Sequence, residues 1–158
     1  MTGFRLDKGG LIDRRRKINF RYNGQQITGF KGDTIASALM ASGHMLVGRS
    51  FKYHRPRGIM SAGVEEGGAL FNIGDGAARI PNVKGTVTEI SEGLRVYSQN
   101  VFPSPEFDLG AVNGLIAPFI TAGFYYKTFM GPFANTKFWM VCERFIRRAA
   151  GLGRASRE

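Results

Sequence analysis

Apolar and polar residues alternate over Ile18-Asn-Phe-Arg-Tyr22, the period of two that predicts a half-buried strand. Asn23-Gly24 follows. Both residues tolerate positive φ, so the pair predicts a type I′ hairpin turn, with Gln25–Phe30 as the returning strand. Asp33 or Thr34 is placed to cap a short helix over Ile35–Ser42, and Gly43 suits its C-terminal stop. Beyond an irregular basic loop, Ala69–Ile73 reads as a strand ended by Gly74-Asp-Gly76. Thr86–Ile90 and Leu94–Tyr97 flank Ser91-Glu-Gly93 as a second predicted hairpin. Hairpin, helix and irregular loop in that order open a β-grasp domain. The expectation is an α+β fold with a mixed sheet of about four or five strands and one helix across it, ending near Ser98.

The last third differs in character. Val101–Pro105 carries two prolines and reads as a linker, and residues 107–133 are aromatic and glycine-rich with few charges. Asn135 or Thr136 can cap a final amphipathic helix over Lys137–Ala150. In it Phe138, Val141, Cys142, Phe145 and Ala149 share a face, while Arg144, Arg147 and Arg148 lie off it. The chain therefore divides into a lead-in (1–16), a β-grasp domain (17–98) and an apolar extension with its helix (99–158). So apolar an extension suggests docking onto a partner domain or subunit. Leu109–Tyr126 is uncharged and near the minimum length for a bilayer span, but Gly110, Asn113, Gly114, Pro118 and Gly123 make it a poor isolated helix. Burial against the fold or a partner is the expectation, and no membrane is expected.

Composition narrows the chemistry. The 158 residues carry a formal net charge of +10, which calls for an acidic partner: nucleic acid, an anionic membrane, a phosphate-bearing cofactor or an acidic protein surface. The hydrophobic fraction of 43% suffices for a core, and 22 glycines favour turns and strands over a helical bundle. Cys142 is the one cysteine, so neither an internal disulfide nor an all-cysteine metal or cluster site can form within the chain. A reducing, cytoplasmic setting fits this usage. The opening residues lack the apolar core of a signal peptide.

The densest candidate chemistry lies in Gly48–Gly63. Arg49, Lys52, Arg55 and Arg57 surround Phe51, Tyr53 and His54, and four such cations cannot be buried without partners. As a site they would hold a phosphate or pyrophosphate, with the rings stacking on a flavin or nucleobase. The plainer reading is a solvated loop whose arginines pair with Glu65 and Glu66 or with a neighbouring subunit. His44 and His54 are too few and too isolated for a metal site, and Cys142 reads as core on its helix face. Adjacent Glu65 and Glu66 point to opposite sides of an extended chain, which argues against a shared-proton pair. No catalytic triad or dinucleotide fingerprint is present, so no catalysis is expected from this chain alone.

A series of stretches in order resembles one family. They are Arg5–Asp13, Gly32–Leu39, Val47–Gly58, Ser61–Glu66, Phe107–Asn113, Ala122–Met130 and Ile146–Gly153, and they are similar to the start of the alpha subunit of heterotetrameric sarcosine oxidase. The resemblance implies a 2Fe–2S ferredoxin-like β-grasp domain. Related amine and proline dehydrogenase complexes keep cluster cysteines in the loop after the helix. This loop has none, so no iron–sulfur cluster is expected. It also implies membership of a multisubunit oxidoreductase that demethylates sarcosine to glycine and passes the one-carbon unit to tetrahydrofolate. FAD or FMN, NAD and tetrahydrofolate then belong to the complete complex, and beta, gamma and delta subunits and the rest of the alpha subunit are the implied partners. Arg49, Lys52, Arg55 and Arg57 become hypothetical contacts to a flavin phosphate or an inter-subunit anion. The alternatives are a free-standing basic nucleic-acid-binding module and a peripheral membrane protein.

Overall fold

The structure, a computed structural model, describes residues 4–115, 117 and 136–149. Strand β1 (Asp13–Tyr22) and β2 (Gln25–Lys31) form an antiparallel hairpin closed by Asn23 and Gly24, at φ +49° and +86°. β1 starts earlier than its alternation implies. Asp13–Arg16, assigned to the lead-in, belong to the strand, and a bulge between Asp13 and Lys17 absorbs the break in pairing. Helix α1 (Ile35–Ala41) begins at Thr34, whose hydroxyl accepts from the Ser37 amide while Ser37 Oγ accepts from the Thr34 amide. Gly43, at φ +86°, follows its C-cap Ser42.

Next come a small hairpin of β3 (Leu46–Arg49) and β4 (Pro56–Gly58), then β5 (Leu70–Ile73), β6 (Ile80–Lys84) and β7 (Arg95–Ser98). The main sheet has the order β2-β1-β7-β5-β6; β7 runs parallel to β1 and antiparallel to β5. The expected β-grasp architecture of a mixed sheet with a helix across it is therefore present. The second hairpin is not. β5 pairs with β6, and Thr86–Ile90 is not a strand. The backbone here serves the helix instead: Ile35 N–H donates to Thr88 O and Ala36 N–H to the carbonyl of Gly85, just before the segment, both at 2.9 Å. Those two donors are among the orphans at any helix start, so the segment caps α1 rather than pairing with β7.

Phe20, Tyr22, Ile27, Ile35, Ala38, Leu39, Val47, Phe71 and Val96 form the core between helix and sheet. Burial pushes the Tyr22 phenol up to about 12, and its hydroxyl is bonded to Ser98 Oγ at 2.7 Å. A second buried group, Asp33, fixes the lead-in. It accepts from Arg5 Nη2 at 2.7 Å, from the Phe30 amide at 2.8 Å and from Ser37 Oγ at 2.8 Å. A second helix, α2, covers Thr136–Ala149. Phe138, Val141 and Phe145 on it are exposed, which leaves Cys142 half-buried rather than in the core cluster. The uncharged stretch Leu109–Tyr126 lies largely outside the described residues, and no described helix is long and apolar enough to cross a membrane.

Replacing Asp33 with Ala should cost about 2 kcal/mol, because it strands the half-buried Phe30 amide and unties Arg5. Urea unfolding monitored by circular dichroism measures this, and a loss under a few tenths would deny Asp33 that role.

Candidate functional site

The basic loop is an ordered hairpin. Between β3 and β4 the chain closes on itself: Ser50 N–H donates to Arg55 O at 2.9 Å, Arg55 N–H to Ser50 Oγ at 2.9 Å, and His54 N–H to Ser50 O at 3.0 Å. His54 sits at φ +52°, in the left-handed region that non-glycine residues rarely enter. The Arg49 amide donates to Gln99 O at 3.1 Å, joining this hairpin to the end of β7.

The four cations separate into different roles. Arg49 turns inward: Nε donates to Pro105 O and Nη1 to His54 O, both at 2.9 Å, and Nε lies 3.8 Å from Asp108 Oδ2. Lys52 and Arg55 lie over the Tyr53 ring, 4.9 and 5.0 Å from its centroid. Arg55 and Arg57 are exposed. Arg57 lines two shallow recesses, one of about 220 Å³ with Ser50, Gln99 and Asn100, the other of about 390 Å³ with Ser61 and Glu66. The loop thus presents Arg55 and Arg57 to solvent, holds Lys52 half-buried beside Tyr53, and keeps Arg49 for the fold.

The expected pairing of these arginines with Glu65 and Glu66 is replaced by local bonds. Buried Glu66 accepts from the amides of Met60 at 2.6 Å and Ser61 at 2.7 Å, and from that of Gly68. Those amides, Gly68 foremost, outweigh burial and hold its carboxyl below the ordinary value. Exposed Glu65 accepts from the Gly63 amide. The histidines are apart: the His44 ring meets Tyr22 edge-on, and His54 Nδ1 donates to Asp108 Oδ2 at 2.7 Å.

Asp108 is the residue the sequence left without a role. Its side chain is buried, and its second oxygen accepts from the Phe102 amide at 2.8 Å. Burial pushes the carboxyl up, but the Phe102 amide, the His54 ring and the Gly110 amide together bring it below the ordinary value. A Cβ on Gly110 would overlap the His54 ring, so glycine is required for that approach. Residues 101–105 are consequently not a bare linker. Leu109 N–H donates to Phe102 O at 2.8 Å and Ser104 N–H to Phe107 O at 3.2 Å, folding the segment back onto the hairpin. One signal was available: Asp108 is the single charge in residues 107–126.

Against this geometry the comparisons with known proteins are specific. A family model described as a 2Fe-2S iron-sulfur cluster binding domain matches residues 15–101, and the chain belongs to that family. It matches the amino-terminal region of sarcosine oxidase subunit alpha. Against that of Rhizobium meliloti (strain 1021) it is 54% identical over 159 residues, covering all of this chain and 16% of the relative. Against that of Corynebacterium sp. (strain U-96) it is 47% identical over 66 residues, 42% of this chain and 7% of the relative. The chain thus spans a small part of the length of these relatives. Among solved structures, L-proline dehydrogenase from P. horikoshii aligns with a TM-score of 0.45 at 16% identity, over 55% of this chain and 16% of that one.

The family's cluster needs cysteine thiolates. Residues 15–101 contain none, and Cys142 lies beyond them on α2. The donor set of this chain does not fit a 2Fe–2S cluster.

Asp108 contributes stability above the carboxylate's unfolded pKa of about 4, and that stability is lost as pH falls through its lower folded value. Relative to its intrinsic rate at each pH, amide exchange over 102–114 should therefore accelerate below about pH 4. Asp108→Ala should bring the same acceleration at pH 7, with about 2 kcal/mol lost. Equal exchange in variant and parent would refute the clamp.

Proposed function

We propose that this chain is the cluster-free β-grasp module of a sarcosine oxidase-type alpha subunit, a structural and interface part rather than a catalyst in itself. The observation that carries this reading is the 54% identity running over the whole chain. The assembly so implied is a flavin-dependent oxidoreductase that demethylates sarcosine to glycine with one-carbon transfer to tetrahydrofolate. Flavin, NAD and folate belong to its other domains and to the beta, gamma and delta subunits. In that assembly the loop cations Lys52, Arg55 and Arg57 supply contacts to a flavin phosphate or to an anionic patch of a neighbouring subunit. Arg49 shapes the hairpin that presents them, through its bonds to Pro105 and His54.

Two measurements test this. In the isolated assembly, Arg55→Ala with Arg57→Ala should lower flavin retention or loosen subunit association by about tenfold, as expected for charge-assisted contacts; unchanged flavin content and unchanged assembly would sink the assignment. Incubating the chain with iron and sulfide under reducing conditions should yield no 2Fe–2S absorption. A stoichiometric cluster spectrum would overturn the cluster-free reading.

A further inference from the structure

We propose that the turn clamped by Asp108 is a docking platform for a separate protein subunit, one whose contact surface is apolar at its centre and carries carboxylates at its rim. The proposal rests on the module reading above and adds where the module docks and what it recognises. Between Phe102 and Leu115, five large apolar side chains face water: Phe102, Phe107, Leu109, Val112 and Leu115, the least exposed of them at 54%. Scattered exposed leucines are ordinary, but this density in one short segment marks a surface made to be covered.

The platform is also preorganised. Asp108 fixes it from beneath through the Phe102 amide and His54, and the backbone closes it through the Leu109–Phe102 and Leu115–Val112 hydrogen bonds. Ordering has been met in folding, so a partner gains the apolar burial without that cost. On the side of the β3–β4 hairpin its rim is cationic, while the exposed Glu106 stands within the turn itself. Gly110 lies against the His54 ring and Gly114 near the Tyr53 carbonyl, which sets the turn beside the hairpin tip where Lys52 and Arg55 flank Tyr53. An apolar centre with a cationic border selects its opposite, an apolar patch bordered by Asp and Glu, and the chain's +10 charge reinforces the match. An anionic bilayer offers related chemistry. A discrete, curved turn held by a buried carboxylate suits a shaped protein surface better.

The test compares amide exchange over 102–115 in the intact assembly and in the chain alone. It is joined by two variants assembled in the same way, Leu109→Ser with Val112→Ser, and Lys52→Glu with Arg55→Glu. Assembly should slow exchange in this segment, and the serine pair should weaken retention of the chain by about tenfold or more, as loss of central apolar anchors does. The charge-reversed pair should weaken retention and abolish its salt sensitivity. If the assembly forms with 102–115 still exchanging freely and both variants retained, the platform is wrong while the module reading stands. A chain that enters no assembly overturns both. Protection of the segment by a second copy of this chain, or by vesicles of phosphatidylcholine and phosphatidylglycerol, overturns the platform. Should the serine pair lose exchange protection in the β1–β7 core, the charge-reversed pair at the loop tip decides the matter.

Discussion

One buried carboxylate organises the functional half of this molecule. Asp108 joins the Phe102 amide of its own turn to the His54 ring and the neighbourhood of the Arg49 guanidinium, both on a hairpin more than fifty residues earlier. A carboxylate withdrawn from water is stable only when hydrogen bonds and positive charge replace its hydration. The demand runs both ways: the hairpin must bring His54 and Arg49 to Asp108, and the following turn must bring Asp108 to them. The positive φ of His54 and the bare backbone of Gly110 are the local concessions that let the two loops meet.

The four cations therefore cannot be treated as one patch. Arg49 neutralises the interior, and with its donors on Pro105 and His54 carbonyls it has little left to offer a ligand. The other cations keep their charge at the surface, with Lys52 and Arg55 stacked on a shared ring that fixes where they stand. The family is defined by a metal cluster, yet this stretch carries no thiolate. What orders the loop here is a network of main-chain carbonyls, one guanidinium, an imidazole and a carboxylate.

Local signals were legible and long-range ones were not. Asn23-Gly24, the cap residue at Asp33 or Thr34, and Gly43 each act within a few residues, so the first hairpin and α1 follow from the sequence. Strand β6 was hidden because Pro81 argues against a strand, which is tolerable here only because β6 is the last strand of the sheet. Thr86-Val-Thr88 misled in the other direction: its β-branched residues suit extended backbone, but the Thr88 carbonyl is spent on capping α1. The cations were found by their density, while the role of Asp108 depends on a partner 54 residues away that no local pattern announces.

Pro81 has a consequence beyond its own strand. An open sheet edge invites strand addition, by which a foreign chain binds through main-chain hydrogen bonds with little regard to its sequence. On the β6 edge a proline removes one donor, and the irregular register between Phe71 and Ile73 disturbs the adjoining ladder. That border is poorly suited to templating a neighbour. Recognition at this border therefore passes from the backbone to side chains, whereas the opposite edge, β2, carries no such proline.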